Sequence, residues 1–277
     1  MTAMHAIITG GSSGIGRELG CKLARAGYNI SLIARREELL KDAAADIEKY
    51  FADPAQRVFT YSADVAAEGQ AEASVAACIR ELGAPELVIT SAGIAVPGYF
   101  SELPLKAHAD SMAVNYFGSL YVVRAAIPAM RARRRGRIVF ISSGAGLMGL
   151  YGYSTYSPSK FALRGLAEAL RAELSADNVG VSIVYPPDTE TPMLAEENKI
   201  KPEETKLITS VVKTWGAEAV ADCIMRGIAR GKFGITPGAA ITMMNRAPGI
   251  TLPVLGWYCD RLVAGVQRKR AVHKRGQ

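Results

Sequence analysis

A chain of 277 residues, 49% hydrophobic and 21% charged, has enough apolar material for one large α/β domain and needs no metal or disulfide to hold its core. Its cysteines (Cys21, Cys78, Cys223 and Cys259) are scattered without a CxxC pair, and His5, His108 and His273 do not group with them, which argues against a metal site or a disulfide scaffold and for reduced thiols. The formal net charge of +7 gathers at the end of the chain, in Arg268, Lys269, Arg270, Lys274 and Arg275; with no recognition motif this speaks against nucleic acid, and for a solvated tail or attraction to an anionic membrane surface.

Met1 to His5 enter an apolar run without the charged and apolar stretches of a secretory leader, so a cytoplasmic location is expected. Short Val- and Ile-rich runs at 5–9, 29–34, 58–62, 87–90, 137–141 and 179–184 predict strands buried on both faces. Helices are predicted between them near 14–26, 37–51, 68–82, 106–133 and 154–176. This alternation predicts a Rossmann-type α/β fold, a doubly wound parallel sheet with its ligand at the carboxyl ends of the strands. No repeat or linker divides it, so a single domain is expected. Residues 186–216, rich in Pro, Thr, Glu and Lys, break the alternation where a substrate lid would sit. The domain is expected over 1–240, carrying a C-terminal extension, 241–277, first apolar and then basic. Its uncharged run 247–259 is about 13 residues, short of the roughly 20 that a membrane span needs. An interfacial helix, seated peripherally on the inner membrane face, or an oligomer contact is expected instead.

The first strand leads into Thr9-Gly10-Gly11-Ser12-Ser13-Gly14-Ile15-Gly16. Glycines at 10, 14 and 16 let the backbone turn tightly and approach a pyrophosphate, and the helix that follows points free N–H groups and its positive end at the anion. Thr9, Gly10, Ser12, Ser13, Gly14, Ile15 and Gly16 are therefore candidate cofactor contacts. At the end of the second strand, Ala34-Arg35-Arg36 lacks the acid that usually accepts from the ribose of NAD. Guanidinium groups stand there instead, so NADPH/NADP is predicted, with Arg35 on the 2′-phosphate and Ser12 assisting.

Ser143 follows the fifth strand, Tyr156 comes thirteen residues later, and Lys160 shares its helix face at i+4. A phenol with a pKa near 10 is a poor base at neutral pH, and a neighbouring ammonium lowers that value. Lys160 is thus expected to tune Tyr156 for proton transfer, Ser143 to hold the substrate oxygen, and Asn115 to hold a water behind Lys160. Pro158, between Tyr156 and Lys160, is tolerated only if the helix starts close by.

The glycine-rich turn, Asp64-Val65, Ser91-Ala92-Gly93, Asn115, Ser143, Tyr156 and Lys160 resemble the short-chain dehydrogenase/reductase set, over nearly the whole chain. The resemblance implies adenine contacts at Asp64 and Val65. It implies cofactor contacts at Ser91, Ala92, Gly93, Tyr156, Lys160, Pro186 and Thr189, and a homodimer or homotetramer. Ser91 departs from the asparagine common there. A narrower likeness lies in Tyr185-Pro-Pro-Asp-Thr-Glu-Thr-Pro192, Ala195-Glu-Glu-Asn-Lys199, Lys201-Pro-Glu-Glu-Thr205 and Arg164-Gly-Leu-Ala-Glu-Ala-Leu170. These resemble the sphingoid-base ketoreductase branch of the family, which implies NADPH-dependent reduction of a long-chain sphingoid ketone. The amine beside that ketone suggests Asp188 or Glu190 as its attractor. Reduction of a 3-oxoacyl or steroid ketone is the alternative within the family. An NADP-sensing scaffold is the alternative outside catalysis, and such a protein tends to lose the tyrosine or lysine that this chain keeps.

Overall fold

In the computed structural model, which describes the backbone of residues 4–275 and the side chains of 4–270, strands and helices alternate from the start. The order is β1 (Met4–Thr9), α1 (Gly14–Arg25), β2 (Tyr28–Ala34), α2 (Glu37–Glu48), β3 (Val58–Ser62), α3 (Glu68–Leu82), β4 (Leu87–Thr90), α4 (Leu105–Met112), α5 (Gly118–Arg133), β5 (Gly136–Ile141), α6 (Tyr156–Glu173) and β6 (Val179–Val184). There follow β7 (Thr189–Glu190), α7 (Pro192–Ile200), α8 (Glu203–Thr209), β8 (Trp215–Gly216), α9 (Ala217–Ala229), β9 (Gly234–Ile235), α10 (Ala239–Arg246) and α11 (Pro248–Arg275).

Seven strands form one sheet in the order β3-β2-β1-β4-β5-β6-β9, and each neighbouring pair is parallel. Successive side chains of a strand point to opposite faces. β1 accordingly sends Ile7 to one core and Ala6 and Ile8 to the other. The first core meets Val75 of α3, Val122 of α5 and Leu163 of α6; the second meets Leu19 of α1, Leu40 of α2 and Ile224 of α9. Helices on both faces explain why the strands read as unbroken apolar runs rather than alternating ones. β1 is flanked by β2 on one side and β4 on the other, so the chain reverses its winding there and opens a crevice at the carboxyl ends.

The six strands expected from sequence lie within one residue of their observed ends. β9 went unread because two residues give no period. The helix expected over 106–133 is interrupted by a wide π-turn, Ala113–Phe117, between α4 and α5. Directly after it, Gly118 passes so close to β3's end that a Cβ would stand 2.8 Å from Val65 Cγ2. The helix expected to 51 closes at Glu48, and Gln56 Oε1 accepts from the N–H groups of Ala52 and Asp53 in the loop beyond. α6 begins at Tyr156, which puts Pro158 in the first turn, where a missing N–H costs no intrahelical bond.

Residues 186–216 are largely helical, not an open loop. Thr191 caps α7 by accepting from Leu194 N at 3.2 Å, and Pro192 takes the first helical position. These are start signals that the proline-rich composition masked. The C-terminal segment is also helical, and Ile241 and Met244 of α10 join the main core. Among the described residues no helix is long and apolar enough to cross a membrane. The side chains of His273, Lys274 and Arg275 lie outside the described residues.

Candidate active site

Gly10 and Gly14 have φ of 66° and 53°, left-handed values that other residues rarely adopt. A Cβ on Gly10 would stand 2.7 Å from Ala92 N, so only glycine lets the turn lie against the end of β4. Ser13, the residue before α1, makes no side-chain cap, and the first turn of α1 holds no acid. Its N–H groups and positive end are thus left for an external anion.

A cavity of about 320 Å³ starts at this helix end. Gly10, Ser12, Ser13, Gly14 and Ile15 form its floor. Arg35 and Arg36 stand exposed at its edge after β2, followed by Asp64 and Val65 after β3 and by Ser91, Ala92 and Gly93 after β4. Pro186 and Thr189 complete the opposite lip, where Pro186 O accepts from Gly144 N at 2.8 Å and Thr189 Oγ1 donates to Pro187 O at 2.8 Å. Thr9 and Gly16 are not on the wall. Thr9 Oγ1 accepts from the N–H groups of Ser91 and Ala92, each at 3.2 Å, and so holds the β4 end in place. Gly16 packs under the turn, where a Cβ would be 2.5 Å from Gly10 O.

Ser143, Tyr156 and Lys160 meet in the middle of the cavity. Lys160 Nζ donates to Ile141 O at 2.9 Å and lies 5.5 Å from the centre of the Tyr156 ring. Ser143 Oγ accepts from Ala145 N at 3.1 Å. Asn115 is fully buried behind the wall, in the π-turn. Its Oδ1 accepts from Ile94 N at 2.8 Å, and its Nδ2 donates to Ile94 O at 3.0 Å and Ser159 Oγ at 2.9 Å. Asn115 therefore ties the segment after β4 to the first turn of α6.

Burial pushes the Tyr156 phenol well above the ordinary range, Glu197 pushes it further, and the Ser143 hydroxyl works against both. The lowering expected of Lys160 is not among the effects on this phenol, and burial dominates. The Lys160 ammonium is itself pulled down to about 8 by burial, with Glu197 opposing. At neutral pH this phenol holds its proton and can give it to an oxygen placed against it.

A second polar cluster, Asp188 apart, has no counterpart among the site residues expected from sequence. Tyr153 donates from its hydroxyl to Glu197 Oε2 at 2.7 Å, and Lys201 Nζ lies 3.1 Å from Asp188 Oδ2 and 3.7 Å from Glu197 Oε2. Burial raises the Glu197 pKa, while Tyr153 and Lys201 hold it down. Of the two acids expected to attract an amine, Asp188 lines the cavity but is paired with Lys201, and Glu190 is exposed and off the wall. Beyond this cluster the wall turns apolar, with Met148, Leu194, Ile241, Met244, Leu255 and Tyr258.

The profile of the family described as short chain dehydrogenase matches residues 4–202. A 3-ketodihydrosphingosine reductase of Mus musculus is 44% identical over 242 residues, which is 87% of this chain and 73% of that protein. A 3-dehydrosphinganine reductase of Danio rerio is 43% identical over 234 residues, 84% of this chain and 70% of that one. Among solved structures, a short chain dehydrogenase/reductase from Burkholderia phymatum in complex with NAD matches with a TM-score of 0.79 at 25% identity, over 91% of this chain and 95% of that chain.

Proposed function

The chain belongs to the short-chain dehydrogenase family, and from that premise we propose that it reduces 3-dehydrosphinganine (3-ketodihydrosphingosine) to sphinganine with NADPH. The observation that carries the reading is the continuity of one cavity. It runs from a helix end prepared for an anion, past a buried phenol, to an apolar wall suited to an alkyl chain. The relatives of matching name extend over the same stretch.

A nicotinamide dinucleotide fits the residues present, because the turn leaves no room for a side chain at Gly10 and the α1 end bears no competing acid. When bound, it supplies the hydride for the ketone carbon. Tyr156 gives its proton to the ketone oxygen as charge builds there, and the Ser143 hydroxyl holds the same oxygen. Lys160 stabilises the phenolate that remains. Asn115 keeps the first turn of α6 in register through Ser159. Arg35 and Arg36, which follow Ala34 where an acid at the end of β2 would accept from the ribose of NAD, support a choice of the 2′-phosphorylated cofactor. Exposed Leu105, Phe117 and Phe161 support self-association, and exposed Ile250, Val254 and Trp257 support peripheral contact with a membrane.

Purified protein, NADPH and 3-ketosphinganine are expected to give ketone-dependent NADPH oxidation, slower with NADH. Tyr156→Phe should lower kcat about 100-fold or more while NADPH still binds. Equal rates for the variant and the parent would remove Tyr156 from the chemistry, and absence of ketone-dependent oxidation would remove the substrate.

A further inference from the structure

We infer that Glu197 is the anion that receives the substrate's ammonium, and that it selects 2-aminoketones over other lipid ketones. The inference rests on the reaction proposed above. In that substrate the amine sits on the carbon next to the ketone carbon. With the ketone oxygen on the Tyr156 hydroxyl, the nitrogen must lie close to the phenol, and its partner must come from the same stretch of wall.

The acids lining the cavity among the described residues are Asp64, Asp188 and Glu197. Asp64 stands at the end of β3, on the dinucleotide side, where its Oδ1 accepts from Ala66 N at 3.0 Å. Asp188 is held by Lys201 at 3.1 Å. Glu197 remains. The Tyr153 ring lies 5.5 Å from the Tyr156 ring, centre to centre, and the Tyr153 hydroxyl fixes Glu197 Oε2 at 2.7 Å. That contact holds the carboxylate on the same stretch of wall as the phenol; Glu197 and Asp188 both act on Tyr156, and Glu197 also acts on Lys160.

Charge and hydrogen bonding agree with the geometry. Two carboxylates, Asp188 and Glu197, share the single ammonium of Lys201, and Glu197 is the more distant at 3.7 Å. Around Lys201 the carboxylates outnumber the ammonium, and the Glu197 carboxylate is buried, so a further cation placed there would be favoured. Both contacts of the carboxylate use Oε2, and Oε1 takes no hydrogen bond among the described residues. Nor is Oε1 sealed in, since the buried side-chain atoms left without a partner are Thr90 Oγ1, Ser111 Oγ and Ser157 Oγ. Glu197 is one of the residues that line the cavity.

The test is a ratio: kcat/KM for 3-ketosphinganine divided by kcat/KM for the analogue in which hydrogen replaces the amine. The parent protein should favour the amine about 10- to 100-fold, the span of a hydrogen bond to a charged group. Glu197→Gln, which keeps the shape and an acceptor for Tyr153, should bring the ratio near one through a higher KM for the amine. Glu197→Asp should keep part of the preference. A merely structural role for Glu197 would weaken both substrates alike and leave the ratio standing, and that result overturns the inference. If Glu197→Gln does not fold, Tyr153→Phe should narrow the ratio several-fold, and an unchanged ratio there counts equally against it. A parent protein that reduces both ketones without preference overturns the inference alone. One that reduces neither overturns the proposed reaction, and this inference falls with it.

Discussion

Tyr156 keeps its proton at neutral pH because the fold buries it, and Lys160 sits near the edge of losing its own at about 8 for the same reason. The sign for activity follows. Below about 8 the ammonium is intact and can stabilise the phenolate left by proton transfer; above it the charge is lost. kcat/KM for ketone reduction should be level toward neutral pH and should fall as pH rises through about 8. Lys160→Arg, charged throughout that interval, should lower the plateau but abolish the fall. A parent profile without a break there would remove the titrating ammonium from the reaction. Ser143, Tyr156 and Lys160 could be read from spacing, since a helix puts i and i+4 on one face. Glu197 and Lys201 have the same spacing, yet that pattern most often marks a solvated pair. Only the packing of α7 over Tyr153 turns it inward, and no local signal announces that.

At the scale of the element, the informative parts are those that break a period. The π-turn between α4 and α5 brings Asn115 to Ile94 and Ser159, as such turns often do near functional residues. Its composition does not differ from that of the helices around it, so sequence reading ran through it. α7 was legible in retrospect from Thr191-Pro192, a cap followed by a proline at the first position. α11 leaves Ile250, Val254 and Trp257 exposed while Leu255 and Tyr258 line the cavity, and Arg261 stacks 4.3 Å from the Trp257 ring. One helix thus borders both the substrate chamber and the outside. Vesicles containing an anionic lipid should sediment the protein, and replacing Ile250 and Trp257 by Asp should weaken that binding by about tenfold per residue. Equal sedimentation of the variant would assign this face to another role.

For the whole molecule, the pH limit of stability lies partly in one buried histidine. His5 bonds Gly83 O at 2.7 Å and Ser31 Oγ at 2.8 Å, joining β1, β2 and the end of α3. Burial lowers its pKa from 6.5 to about 4. Below 6.5 the unfolded chain takes up a proton that the folded protein refuses. Stability is therefore complete above about 6.5 and is lost progressively toward 4, by about 3 kcal/mol at most. Urea unfolding at neutral and acid pH should show His5→Gln losing less stability over this interval than the parent, although it starts lower. Identical losses would place the acid sensitivity elsewhere. The sheet order was within reach of the sequence, because alternating short strands and helices leave few topologies. The layout of residues 186–275 was not, because it depends on contacts between distant segments.

That sheet order bears on how the molecule is made. β1 lies inside the sheet, β2 and β3 extend it on one side, and β4, β5, β6 and β9 extend it on the other. A ribosome therefore releases the strands in an order in which each meets a free margin, and none has to be threaded between two already joined. Synthesis from the N-terminus favours assembly in that direction. The glycine turn and its brace at β4 are in place before α10 and α11 emerge. The nascent chain is a nucleotide cradle before it is a lipid chamber.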